Sequence, residues 1–174
     1  MIKHSLNLSL HEPQWEQDLP QYQQISEEVF SHVLDYVNTH EKIDFLGFEK
    51  PIIVNLCLSN NTEVHQLNNE FRHKDKATNV LSFANIDDDF FDESCQQEPE
   101  IELGDIIIAL ETMQDEALSQ EISLHDHYCH LLAHGLLHLL GYDHIEEDEA
   151  QHMESFEIAI LQELNIDNPY KDEV

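Results

Sequence analysis

Residues 123–144 read SLHDHYCHLLAHGLLHLLGYDH, and this stretch decides the architecture. Ser123 suits a helix N-cap, because its hydroxyl takes one of the amide protons that a first turn leaves unpaired. Gly141 suits a left-handed stop. The spacing therefore predicts a helix from Ser123 to about Leu140. At 100° per residue, His127, His130, His134 and His138 fall within roughly an 80° arc. Leu124, Tyr128, Leu131, Leu132, Leu136 and Leu139 lie mainly to one side of that arc. The helix thus has a face that must pack and a face that carries imidazoles. His134 and His138, four apart, can grip one ion, and a chain turning back at Gly141 delivers His144 as a third donor. Three neutral imidazoles with one position left open suit a catalytic Zn²⁺, which draws the pKa of its bound water towards neutrality. His127 and His130 are not needed for that set and are read as a solvated face beside it.

Outward from this helix, the chain mixes strands and helices. Residues 2–10 alternate, with Ile2, Leu6, Leu8 and Leu10 opposite Lys3, Ser5, Asn7 and Ser9, as in a half-buried strand. Residues 11–22 hold Pro13 and Pro20 and read as a loop. Ile25, Val29, Val33 and Val37 recur at four-residue steps and predict a helix to about Thr39. Pro51 opens a mainly apolar stretch from Ile52 to Leu58, a buried strand. Asn60 and Glu63 resemble a capping box for a helix with Val64, Leu67 and Phe71 inward. Further strands are expected at Thr78–Phe83 and Leu103–Ala109, helices around Glu111–Leu118 and over Met153, Phe156, Ile160 and Leu164. The segment 87–102 has eight acidic residues, no basic one and Pro99, and reads as an exposed acidic loop. The expected fold is α/β of the α+β type. It is a single domain over 1–174 with a small mixed sheet of about four strands, helices packed on it and a zincin-like metal helix.

Composition narrows the function classes. With 174 residues, 41% apolar, the chain can bury a core. Its longest apolar run is five residues, Ile106 to Leu110, so no membrane span is expected, nor is a signal-peptide core at the N-terminus. Cys57, Cys95 and Cys129 are far apart and odd in number, which argues against a disulfide framework and for a reducing cytoplasm. Thirty-seven acidic residues against seven Lys and Arg give a net charge of −30, a field that repels phosphate backbones. Yet three of the seven cations, Arg72, Lys74 and Lys76, sit within five residues. Seven of the thirteen histidines fall between His125 and His152.

The histidines at offsets 0, 4 and 10 with glycine at 7 also match the metzincin protease pattern H-E-x-x-H-x-x-G-x-x-H. That protease needs Glu after the first histidine as general base, and here the residue is Gly135, which accepts no proton. The full run His134-Gly-x-Leu-His-Leu-x-Gly-Tyr-Asp-His144 resembles the signature of the YbeY family of bacterial rRNA maturation factors, metal-dependent endoribonucleases. Leu67-Asn-x-x-Phe-Arg72-x-Lys-Asp-Lys-x-Thr78-x-Val-Leu-Ser-Phe83 is similar to a second hallmark of that family, and Leu103-Gly-Asp-Ile-Ile-Ile108 to a third. Together they run in family order from about residue 60 to 164. The chain departs from the family pattern at Asn79, where Asp is usual, and at Ala77, where Pro is usual.

The resemblance implies a zinc-dependent endoribonuclease acting on single-stranded RNA in small-subunit rRNA 3′-end maturation and ribosome quality control. On that reading one Zn²⁺ per chain is held by His134, His138 and His144, and activates water or polarises a phosphoryl oxygen. Arg72 binds the scissile phosphate as the catalytic cation, Lys74 and Lys76 track flanking phosphates, and Asp143 orients an imidazole ligand from behind. For Arg72 the bland alternative is a structural salt bridge; for Asp143 it is a turn. With so few cations RNA binding is weak, so the ribosomal small subunit, met through basic ribosomal proteins docking on the acidic surface, is expected to supply the substrate. Two other classes compete: a non-catalytic ribosome-assembly factor whose zinc serves folding, and a metalloprotease, against which Gly135 stands.

Overall fold

In the computed structural model, which describes residues 2–171, β1 (His4–Leu10) alternates half-buried and exposed positions as its sequence demands. After it come α1 (Trp15–Asp18) and α2 (Tyr22–His40), then β2 (Ile52–Ser59), α3 (Asn61–Arg72) and β3 (Val80–Ala84). The rest is α4 (Phe91–Gln97), β4 (Ile101–Ala109), α5 (Leu110–Gln120), α6 (Leu124–Leu139) and α7 (Glu147–Glu163). The four strands form one mixed sheet in the order β1-β2-β4-β3. β1 and β4 flank β2 in parallel, and β3 closes the far edge antiparallel to β4. The expected single α+β domain with a four-stranded mixed sheet is what the molecule has.

Sheet parity divides the residues between two faces. Val54, Leu56 and Leu58 of β2 join Leu103, Ile106 and Ile108 of β4 in a core shared with α2, α6 and α7. β4 changes parity between Leu103 and Ile106 because of a bulge: Ile53 pairs with Glu102 and Val54 with Gly104. Only glycine fits there, since Gly104 sits at φ +139° and a Cβ on it would lie 2.1 Å from the Phe83 carbonyl oxygen. The opposite face carries a smaller cluster of Val64, Leu81 and Ala109, with Leu67, Phe83 and Ile107 against it. Asn7, Asn55 and Asp105 on that face are exposed.

α6 lies against β3 and β4 and contacts α2, α5 and α7. Gly135 is what allows so close an approach: a Cβ there would stand 3.1 Å from Ser82 Oγ and 3.2 Å from Ile106 Cδ1. The helix starts with Ser123 accepting from the Asp126 amide at 3.1 Å. It ends in the expected glycine stop. Gly141, at φ +104°, donates its amide to the His138 carbonyl, and Tyr142 donates to that of Leu137, both at 3.0 Å.

Two sequence readings need correction. The acidic stretch 87–102 is not a structureless loop, because residues 91–97 form α4. Phe91 and Cys95, one turn apart, are buried, with Phe91 edge-on to Phe45 at 5.3 Å. Lys50 Nζ donates to the Cys95 and Gln96 carbonyls at 2.6 and 3.0 Å, satisfying a helix end that lacks basic residues of its own. The acids themselves are exposed as expected. The segment 11–22 likewise contains α1, where Trp15 is fully buried and donates Nε1–H to the Ser59 carbonyl at 2.9 Å. A buried indole with its one donor satisfied outweighs the flanking prolines.

Candidate metal centre and its cleft

His134 and His138 stand on one face of α6, and the turn after Gly141 brings His144 to them. Ring centroids are 4.5 Å apart for His134 and His138, 5.0 Å for His138 and His144, and 5.4 Å for His134 and His144. One donor atom from each lies within 4.8 Å of the others, so the three can hold a metal ion. The rings are aimed by bonds on their far side. His138 Nδ1 donates to the Tyr142 carbonyl at 2.9 Å and His134 Nδ1 to Glu157 Oε1 at 3.1 Å, which leaves both Nε2 atoms facing each other at 3.0 Å. An outer partner on Nδ1 selects the tautomer that ligates through Nε2. Burial, and then the nearby His134, lower the pKa of His138 and keep it in the neutral form a metal requires.

His127 and His130 are not on a solvated face, which corrects their sequence reading. His127 is 3% exposed and bonds Glu116 Oε1 at 2.8 Å; His130 bonds Glu157 Oε1 at 2.9 Å. They lie between α6 and its neighbours because α5 and α7 bring carboxylates inward. Glu157 is 1% exposed and also accepts from the Tyr170 hydroxyl. Burial alone would raise its pKa, but hydrogen bonds from His130 and His134 bring it down to about 2. Glu116 is held below the usual carboxylate range in the same way, by His127 and Asn79 against its burial. Sequence reading missed Glu157, Glu116 and Tyr170. For Glu157 a signal existed: it falls on the same face of its helix as Met153, Phe156 and Ile160, where a carboxylate needs buried partners.

The three histidines line a cleft of about 750 Å³ together with Arg72, Lys74 and Lys76. Arg72 ends α3. Its Nη2 donates to the Ser82 carbonyl at 2.6 Å and its guanidinium stands 5.2 Å from the Phe83 ring. No carboxylate pairs with it among the described residues, so a structural salt bridge is not its occupation, and most of its five N–H donors have no protein partner. Lys74 and Lys76 follow on a short segment that Asn68 staples down: this 2%-exposed side chain donates to the Lys76 carbonyl at 2.9 Å. Asp143 accepts from the backbone N–H of His144 at 2.7 Å, so it shapes the turn that presents His144, and it bonds no imidazole among the described residues. Asn79, at the back of the cleft, donates to both Glu116 oxygens at 3.1 and 3.2 Å. A carboxylate at that position would face Glu116 with like charge.

The family profile described as Endoribonuclease YbeY matches residues 10–165. The chain is similar to proteins named Endoribonuclease YbeY in several bacteria. It is 38% identical to that of Acinetobacter baumannii over 172 residues, 98% of this chain and 99% of the relative. It is 42% identical to the Agrobacterium fabrum protein over 82% of this chain and 80% of the relative. With the Francisella philomiragia protein identity is 47% over 67% and 72%. The fold is shared with a Thermotoga maritima protein solved in solution, TM1509, at a TM-score of 0.53 and 20% identity, over 97% of both chains.

Proposed function

The chain belongs to the endoribonuclease YbeY family, and from that premise we propose that it is a zinc-dependent endoribonuclease cutting single-stranded RNA in small-subunit rRNA 3′-end maturation and ribosome quality control, in the cytoplasm. One observation carries the reading: three convergent imidazoles line one cleft with an arginine that has no carboxylate partner among the described residues. A divalent ion held by His134, His138 and His144 supplies Lewis acidity and a more acidic water. The neutral N-donor set fits Zn²⁺ with a coordination position left open.

The chain's own residues do the rest. Glu157 and the Tyr142 carbonyl hold two ligand rings in place, so little reorganisation accompanies ion binding. Arg72, steadied by Ser82 and Phe83, presents a planar fork to a phosphate and stabilises the charge that builds on it. Lys74 and Lys76 hold the neighbouring phosphates. At physiological salt these local cations act over about 8 Å, which lets them bind a phosphate in spite of the net −30.

Gly135 supports this reading over a protease, because the position where a metzincin keeps its base is pressed against Ser82 and Ile106. Hydrogen bonds from His134 to Glu157 and from His138 to the Tyr142 carbonyl support a working site over zinc that serves folding, because outer partners of this kind tune and orient catalytic ligand rings. Metal content and cleavage of a labelled single-stranded RNA, compared between the native protein and His138→Ala, test the proposal. The native protein is expected to hold one more zinc per chain than the variant and to cleave the RNA, which the variant does not. Zinc without cleavage at every salt concentration points instead to a ribosome-assembly factor.

The exposed acids of 87–102 form the proposed docking surface for basic proteins of the small ribosomal subunit. Neutralising them is expected to weaken co-sedimentation with small subunits; unchanged co-sedimentation removes that role from the segment. No helix among the described residues is long and apolar enough to cross a membrane.

A further inference from the structure

On the sheet face opposite α6, three potential ligands from three elements meet. His11 follows β1, Cys57 lies in β2 and Glu63 lies in the first turn of α3. His11 Nδ1 is 2.8 Å and Cys57 Sγ 3.7 Å from the same oxygen, Glu63 Oε1, and the three donor atoms lie within 4.8 Å of one another. Zinc bonded at ordinary lengths to sulfur, nitrogen and oxygen places its ligand atoms roughly 3.5 Å apart. The cluster already has that scale.

Each donor is fixed by its backbone. The His11 amide donates to the Leu58 carbonyl at 2.9 Å. Cys57 is paired on both sides, with Ser9 in β1 and Ile107 in β4. The Glu63 amide donates to the Asn60 side chain at 2.9 Å, which pins the first turn of α3. A groove of about 490 Å³ opens beside the cluster, walled by Leu67, Phe71, Phe83 and Ile107. It leaves room for a fourth, exchangeable ligand.

We propose that His11, Cys57 and Glu63 form a second, thiolate-containing site for a divalent cation of the Zn²⁺ class, separate from the three-histidine centre. A soft sulfur, an imidazole and one carboxylate select such a borderline cation over Mg²⁺ or Ca²⁺, which take oxygen. Binding releases one proton, from the Cys57 thiol to water, and moves the His11 proton from Nδ1 to the half-exposed Nε2 side of the ring. Glu63 is already ionised, held below the usual range first by the Ser59 hydroxyl and also by His11. Without a cation, burial and the facing Glu63 push the Cys57 thiol up to about 12. The ion supplies the charge that stabilises the thiolate.

Cobalt titration of the full chain, stripped of metal beforehand, tests this. The three-histidine centre has no sulfur, so a near-ultraviolet thiolate-to-cobalt band reports the second site alone. The native protein is expected to take up two equivalents of Co²⁺ and show the band. Cys57→Ser loses the band and one equivalent, whereas His138→Ala keeps the band. His11→Ala, at an exposed position that leaves the fold intact, weakens Co²⁺ binding at this site at least tenfold. Absence of the band from the native protein, or its persistence in Cys57→Ser, overturns the proposal, and neither result bears on the nuclease assignment.

Discussion

Glu157 Oε1 accepts a hydrogen bond from His134 Nδ1 at 3.1 Å from a position 1% exposed to solvent. The same oxygen accepts from His130 Nε2 at 2.9 Å and from the Tyr170 hydroxyl at 3.1 Å. One buried carboxylate thus ties α7 and the C-terminal segment to the ligand helix and decides which nitrogen of His134 faces the cleft.

Glu157→Gln is expected to lower metal affinity by about 10- to 100-fold, the usual cost of removing an outer partner from a ligand imidazole. Competition against a chelator of known affinity measures it. An unchanged affinity shows that packing alone orients His134.

Arg72→Ala is expected to reduce RNA cleavage by at least about 100-fold, the scale of one lost charge-stabilising donor set, with metal content unchanged. Arg72→Lys recovers only part of the rate, because an ammonium lacks the planar fork. Loss of metal from either variant would show that Arg72 supports the centre rather than the phosphate.

Gly104→Ala is expected to destabilise the fold by about 3 kcal/mol, from the left-handed φ together with the clash at the Phe83 carbonyl. Gly141→Ala would set its Cβ 3.3 Å from only the end of the Ile86 side chain, which can give way, and costs about 1 kcal/mol, mainly through φ. Chemical denaturation separates the two, and equal losses would refute the steric part of the explanation.

Glu116 has its pKa lowered in the folded chain, where it faces His127 and His130 of α6 and Asn79 before β3. A carboxylate lowered on folding stabilises the protein above its unfolded value of about 4.3, and that contribution fades as pH falls through the folded value. Glu116→Gln is therefore expected to reduce stability near neutral pH and flatten its decline under acid. Thermal unfolding between neutral and acid pH checks this; parallel curves for native and variant protein would dismiss the carboxylate's part.

The sequence by itself determined the elements whose signals are local. Alternation in β1, the four-residue steps of α2, the Ser123 and Asn60 caps and the Gly141 stop depend on neighbouring residues, and each appears where its pattern lies, within a few residues at the ends. The convergence of His134, His138 and His144 was legible too, because i and i+4 on a helix are neighbours whatever surrounds them, and a glycine stop sends the chain back. Tertiary structure decided what depends on distant partners. His127 is buried and His130 mostly covered because Glu116 and Glu157 arrive from other helices. α4 exists because Phe91 meets Phe45 and Lys50 closes its end, and no periodicity in an acidic stretch announces that. Arg72 lines the same cleft as the histidines because β3 runs antiparallel to β4 and brings Ser82 to its guanidinium. Local propensity is written in adjacent residues, while burial and charge pairing belong to residues that only the fold brings together.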